Sequence, residues 1–269
     1  MSQKDLLCLQ DRDALLFRLL LGSRKWTARA AQELFGNMNI DDMGSDFLLY
    51  LGDFGKARQW EFFPPDVRAR TEGLIRYYLF YNSSLFLPVS KVTRHLATAG
   101  IPFVITGDFA IRIHYLPQMT RIINCADILV HPQDYDPSLE TIKAMFGDGI
   151  HDDDPGNTTF TLSSFGKKKL SCKLVKGTGG VWDRAIRTSW KCSPLRISCP
   201  EDLIILLLKR VFENPQKDDL YRRIRWNHDA ATLLPLCNTA LLEELADEQN
   251  LGKELTALTD AICGTPDLQ

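Results

Sequence analysis

No two of the seven cysteines form a CxxC pair. An odd number scattered from Cys8 to Cys263 supplies neither a disulfide framework nor the ligand spacing of a structural zinc site. Charge of one sign is not in excess either: 32 Lys and Arg stand against 34 Asp and Glu, a formal net charge of -2. That balance removes the overall basic field that draws a chain to nucleic acid or to anionic membrane. Only local clusters remain, such as Lys167-Lys168-Lys169 and Arg222-Arg223-Ile224-Arg225. No apolar run approaches the roughly 18 to 20 residues of a membrane span, and there is no internal repeat or low-complexity tract. Met1 to Asp13 is polar and charged before apolar residues become frequent, which is not a signal-peptide pattern. The expected setting is therefore reducing and cytoplasmic, with no membrane partner and with nucleic acid disfavoured.

What is present is an ordinary globular composition, 45% hydrophobic and 25% charged over 269 residues, enough for one large domain or two modest ones. Residues 1–99 read as an N-terminal helical region. Thr27 is placed to cap a helix through Leu34, and Pro65-Asp66 opens a longer one through Tyr77, Tyr78 and Phe80. Pro88 is expected to interrupt that helix, with a second segment from Val89 to the Ala99-Gly100 stop. Residues 100–199 change to strand periodicity, at Phe103–Ile105, Ala126–Val130, Thr158–Leu162, Leu170–Val175 and Leu195–Ile197, with helices at Asp108–Tyr115 and Tyr135–Phe146. His151-Asp152-Asp153-Asp154 before Pro155-Gly156-Asn157 reads as a solvated turn rather than a metal cluster, and Lys167–Lys169 as a hairpin. Residues 200–269 return to helix, opened by Pro200 with Glu201 and Asp202 in its first turn. Cys192 and Cys199, without histidine partners, are taken as structural.

The residues that can carry chemistry cluster between Thr106 and Val130. A buried strand, Phe103-Val104-Ile105, runs through Thr106 into Gly107 and a helix. Glycine there permits close approach, and free N–H groups at a helix start point at an anion. The next apolar run, Cys125-Ala126-Asp127-Ile128-Leu129-Val130, carries one carboxylate. Two carboxylates at i and i+2 on a strand point to one face and can share hard cations. Here Asp127 holds the second of those places and Cys125 the first.

This order resembles the uncharacterised bacterial nucleotidyltransferases of the DNA polymerase β superfamily. The resemblance is carried by Gly100–Gly107, Ala110, Tyr115-Leu116-Pro117, Arg121 and Asp127–Val130. It is carried again by Pro200-Glu201-Asp202-Leu203, Leu206–Leu208 and Arg223–Asp229 before Leu233-Leu234. In those relatives a lysine precedes the glycine and the later block reads Asp-Ile-Asp-Leu-Leu-Val. The resemblance implies an α+β fold: a small mixed sheet flanked by N-terminal helices and a C-terminal helical bundle. It also implies a nucleotide partner, with an NTP as substrate or ligand, and Mg²⁺ as cofactor. By the same carry-over, Asp127 and Asp108 would hold metal, Asp127, Asp108 and Cys125 would be the catalytic positions, and Thr106, Gly107, Arg121 and Arg225 would contact nucleotide.

The departures bear on activity. Cys125 stands at the first metal-binding acid, Thr106 at the lysine, and Ser171 at the third acid expected on the strand Lys169–Leu174. Each lost carboxylate removes both a ligand and a charge. Two readings stand. In one, a nucleoside monophosphate passes from an NTP to a small-molecule, peptide or protein acceptor with a divalent metal. In the other, the chain is a pseudo-enzyme that binds a nucleotide, peptide or protein in the old cleft. Several residues are open individually. Asp127 is a metal or phosphate-linked residue or an edge acid paired with Arg121, and Arg121 is a phosphate clamp or half of an ion pair. Asp108 is a ligand or a helix-dipole partner. Cys125 is a reactive thiol or a buried structural one. Arg225 and His228 reach a nucleotide only if their helix faces the sheet.

Overall fold

The structure is a computed structural model. It describes residues 11–22, 24–36, 38–117, 119–123, 125–146, 150–154, 157–165, 168–177, 179–190, 193–212 and 220–263. In chain order these form α1 (Asp11–Leu20), α2 (Ala28–Phe35), α3 (Ser45–Ala57) and α4 (Pro65–Thr98), then β1 (Phe103–Thr106) and α5 (Gly107–Ala110). They continue with β2 (Cys125–Val130), α6 (Tyr135–Phe146), β3 (Ile150–Asp154), β4 (Asn157–Phe165), β5 (Lys168–Lys176), α7 (Val181–Arg184), β6 (Ile186–Trp190) and β7 (Ser193–Ile197). The helices α8 (Pro200–Phe212), α9 (Leu220–Leu233), α10 (Thr239–Glu248) and α11 (Gly252–Cys263) complete an α+β fold. Among the described residues no helix is long and apolar enough to cross a membrane.

The chain divides into two compact units, neither contiguous in sequence. One comprises Met1–Tyr77, Met119–Arg121 and Ile204–Gln269, and the other Tyr78–Gln118 and Ile122–Leu203.

The first unit is helical. Thr27 caps α2 by accepting from the Ala30 amide at 3.1 Å, as its place before the apolar stripe requires. Leu16, Leu19, Leu34, Phe47, Leu51 and Ile224 are buried together in its core, which joins α1, α2, α3 and α9. Aromatic rings gather around Trp26 at the same core: its ring lies 5.1 Å from Phe54 and 5.5 Å from Phe63, and its indole N–H donates to the Glu61 carbonyl at 2.9 Å.

Helix α4 corrects the expectation of a break at Pro88: it runs unbroken from Pro65 to Thr98. Proline inside a helix costs about 3 kcal/mol through its missing N–H and its ring. Leu85, Val89, Val92 and Leu96, at i, i+4, i+7 and i+11, are wholly buried, and burying each such side chain contributes about 1.5–3 kcal/mol. Burial on both sides of Pro88 therefore outweighs the local penalty. The helix stops where the sequence says it should. Gly100 adopts φ +71°, and its amide and that of Ile101 bond back to the carbonyls of Ala97 and Leu96, a Schellman end.

The second unit is built on a seven-stranded mixed sheet in the order β3-β4-β5-β2-β1-β7-β6. Strand β1 pairs antiparallel with β2 and parallel with β7, and β2 pairs parallel with β5. The run His151–Asp154, expected as a turn, is instead the edge strand β3, paired antiparallel with β4. Its polar sequence hides the strand, because an edge strand needs only one hydrogen-bonded neighbour and little apolar cover. Strands β4 and β5 form the expected hairpin, with Phe165 opposite Lys168, while Gly166 and Lys167 lie outside the described residues. Strand β6, whose sequence carries few apolar residues, pairs antiparallel with β7.

Candidate functional site

Strand β2 alternates cleanly: Ala126, Ile128 and Val130 are buried, and Cys125, Asp127 and Leu129 are half-buried on the other face. Strand β1, between β2 and β7 in the sheet, is buried throughout. Register then fixes the neighbours, because residues directly opposite on adjacent strands share a face. Thr106 lies opposite Asp127, Asp127 opposite Lys173, and Lys173 opposite Thr159. The adjacent row reads Cys125, Ser171, Thr161. Farther along the same face Val104 and Leu129 are covered by Trp182 and Val181, so that end of the face is closed and apolar.

Gly107 follows Thr106 with φ +65°, a conformation that an L-residue adopts only with strain. The glycine is thus required to turn the chain from β1 into α5. Asp108 occupies the first turn of α5, and the Thr106 hydroxyl makes no capping bond to it. Ile111–Tyr115 continue as a π-helical turn, held by a bond from the Tyr115 hydroxyl to the Ser198 carbonyl at 3.0 Å. Thr106, Gly107, Asp108, Cys125 and Asp127 all belong to the sheet unit, and the pairing of Thr106 with Asp127 sets the Gly107-Asp108 turn beside Asp127.

Arg121 and Arg225 belong to the helical unit. The Arg121 guanidinium, 1% exposed, makes a forked pair with the Asp229 carboxylate, through Nη1 to Oδ1 and Nη2 to Oδ2, the latter at 2.8 Å. Asp229 is thus the carboxylate that engages its fork. The preceding residue is tied to the same unit, since the Thr120 amide donates to Asp53 Oδ2 at 2.6 Å and its hydroxyl to Oδ1 at 3.2 Å. Arg225 lies 3.8 Å from Asp46. His228 stacks obliquely on Tyr50, centroids 5.0 Å apart, and burial, the largest cause, lowers its pKa to about 4. Burial likewise raises the Tyr50 hydroxyl well above its ordinary value, with the Asp229 charge adding to the effect.

On the buried side of β5, Cys172 has its thiol pushed well up, first by burial and then by the nearby Cys125 and Asp127. Cys199 donates to Asp202 at 3.2 Å, and its pKa is raised mainly by burial.

Lys173 escaped the sequence reading, although the signal was available. Once Ser171 is placed on the open face, the period of two puts Lys173 there as well. The donor set can then be tested against magnesium. Strand neighbours are about 4.8 Å apart, so a lysine, Lys173, stands opposite the one strand carboxylate of these rows. Cys125 and Ser171 are paired across β2 and β5, and neither a thiol nor a hydroxyl is the hard, charged oxygen that magnesium prefers. Among the described residues no group of three or more His, Cys, Asp or Glu side chains is arranged to hold a metal. These side chains do not fit a two-magnesium centre.

No family model matches the chain, and no curated protein does. Solved structures show distant likeness. One is the crystal structure of ANT(2")-Ia in complex with adenylyl-2"-tobramycin, 18% identical, covering 62% of this chain and 96% of that one with a TM-score of 0.46. The solution structure of the antibiotic-resistance factor ANT(2'')-Ia is 17% identical, covering 61% and 94%, with a TM-score of 0.41. An antigenic nucleotidyltransferase-like protein from Paracoccidioides brasiliensis is 15% identical, covering 65% and 93%, with a TM-score of 0.39.

Proposed function

We propose that this chain is a nucleotidyltransferase-like protein that binds a nucleotide through Lys173 in place of a metal pair, and that it does not transfer the nucleotide. The observation that carries this reading is the register of β2 against β5, which sets Lys173 opposite Asp127 and Ser171 opposite Cys125. An ammonium is a compact charge with three N–H donors and contacts phosphate oxygens directly. The turn at Gly107 brings backbone close to the same face.

A second reading has one observation in its favour. Because Thr106 pairs with Asp127, Asp108 follows within two residues of that partner, and the two carboxylates supply the start of a single Mg²⁺ site. In that reading the chain passes a nucleoside monophosphate from an NTP to a small-molecule, peptide or protein acceptor.

Calorimetric titration with ATP, GTP, CTP and UTP, each with and without Mg²⁺ or Mn²⁺, separates the two. The lysine reading expects binding that survives chelation, is lost in Lys173→Ala and is retained in Asp127→Asn. Binding that requires metal and disappears in Asp127→Asn would transfer the conclusion to the second reading. The absence of binding to all four nucleotides would overturn both and leave a peptide or protein ligand for this face.

A further inference from the structure

Helix α4 buries one side and leaves the other in water. Leu85, Val89, Val92 and Leu96 are wholly buried, and the side opposite them carries Phe80 and Leu87, 65% and 58% exposed. Residues seven apart lie along one line of a helix, and residues three or four apart on one face. Phe80, Leu87 and Arg94 therefore form a line, with Ser83 and Ser84 between the two apolar residues and Lys91 between Leu87 and Arg94. Single exposed apolar side chains are ordinary on a surface. Here the two most exposed large ones among the described residues share one line, on the face that a half-buried helix normally fills with polar residues.

The polar atoms between these two residues are already provided for. The Ser83 and Ser84 hydroxyls both donate to the Phe80 carbonyl, at 2.7 and 3.2 Å, so covering them strands no donor. Being short, the two serines stand lower than Phe80 and Leu87 on either side. The charge on this face has one sign. No Asp or Glu occurs from Gly73 to Gly107, Lys91 and Arg94 are exposed, and among the described residues neither forms an ion pair. A second copy of the chain meets such a face badly, because it brings cations to cations and no acid to answer them.

We propose that this face of α4 docks an acidic amphipathic helix of another protein. Apolar side chains of the partner pack on Phe80 and Leu87 and over the two serines, and its carboxylates meet Lys91 and Arg94. Phe80, Ser84, Leu87, Lys91 and Arg94 follow one another at alternate steps of four and three, the spacing that a helix laid alongside can follow over its length. Burying Phe80 and Leu87 supplies the affinity. The cations, confined to the C-terminal end of the line, select an acidic partner and fix its direction. The proposal stands apart from the nucleotide reading, since none of these residues belongs to the Thr106–Asp127–Lys173 row.

The test uses the full chain and a labelled three-heptad peptide repeating Leu-Glu-Ala-Leu-Glu-Ala-Glu, read by fluorescence anisotropy. The same peptide with every Glu replaced by Lys is the control, and vesicles of phosphatidylcholine with phosphatidylserine are the alternative ligand. The acidic peptide is expected to bind at least about fivefold more tightly than the basic one, since two exposed ion pairs turn from attraction to repulsion. Phe80→Ser and Leu87→Ser are each expected to weaken binding at least about tenfold, with the melting temperature of the free chain little changed because both side chains stand in water. Lys91→Glu/Arg94→Glu is expected to reverse the preference toward the basic peptide. Absent binding of the acidic peptide, equal binding of the two peptides, binding unchanged in Phe80→Ser and Leu87→Ser, or binding to the vesicles alone would overturn the proposal.

Discussion

Arg121 and Asp229, 108 residues apart in sequence, meet as a buried two-pronged ion pair inside the helical unit. Arg121 lies just before β2, in a three-residue segment that leaves the sheet unit's stretch of sequence and packs with the helices. Together with Thr120 on Asp53 it fastens that segment down.

Breaking this pair one side at a time should be severe. Arg121→Met or Asp229→Leu leaves the partner charge buried and uncompensated, a loss of about 3–5 kcal/mol. The double variant Arg121→Met/Asp229→Leu is expected to recover a good part of it. Urea unfolding of the three variants checks this, and a double variant no better than either single one would mean that the pair is not coupled.

His228 makes stability depend on pH. Its folded pKa of about 4 lies below the ordinary 6.5, so the unfolded chain binds the proton more readily. Stability is therefore complete above about pH 6.5 and falls as pH drops toward 4, at a limiting slope of about 1.4 kcal/mol per pH unit. Urea midpoints measured from pH 7.5 to pH 5.0 should decline, and His228→Gln should flatten that decline. A decline of equal slope in the variant would assign it to other groups.

Cys125 is half-buried on the open face, while Cys172 and Cys199 are buried with raised thiol pKa values. Alkylation at pH 8 should therefore modify Cys125 ahead of both, since the thiolate is the reacting species. Saturating nucleotide should slow the Cys125 reaction if the Lys173 row is the binding face. Peptide mass spectrometry over a time course reads both effects, and Cys172 or Cys199 labelling first would contradict the burial pattern.

Gly107→Ala should cost about 1–2 kcal/mol, the strain of placing an L-residue at positive φ. Gly73, with open space where a Cβ would stand, sits within α4, where Ala is favoured, so Gly73→Ala should stabilise by about 0.4–1 kcal/mol. Melting curves of the two variants should move in opposite directions.

Much of the fold is legible in local patterns. The strands at Phe103, Ala126, Leu170 and Leu195 announce themselves by short apolar periodicity. Gly100 ends α4 and Thr27 starts α2 by chemistry contained within a few residues. At Pro88 a local rule failed because the deciding term was the burial of Leu85 and Val89 by distant parts of the chain. The acidic strand at Ile150–Asp154 was hidden for the converse reason: its pairing to β4 supplies through backbone bonds what its side chains do not advertise.

At the candidate site the division is sharper. The identities of Gly107, Asp108, Cys125 and Asp127, and the face that Cys125 and Asp127 share, follow from a turn residue and a period of two, which are properties of neighbouring residues. That Lys173 stands opposite Asp127, that Arg121 closes on Asp229, and that Arg187 lies opposite Arg196 depend on strand register and helix packing. Those are set by which surfaces bury best against one another across a hundred residues of chain, and short-range sequence pattern carries no record of that choice.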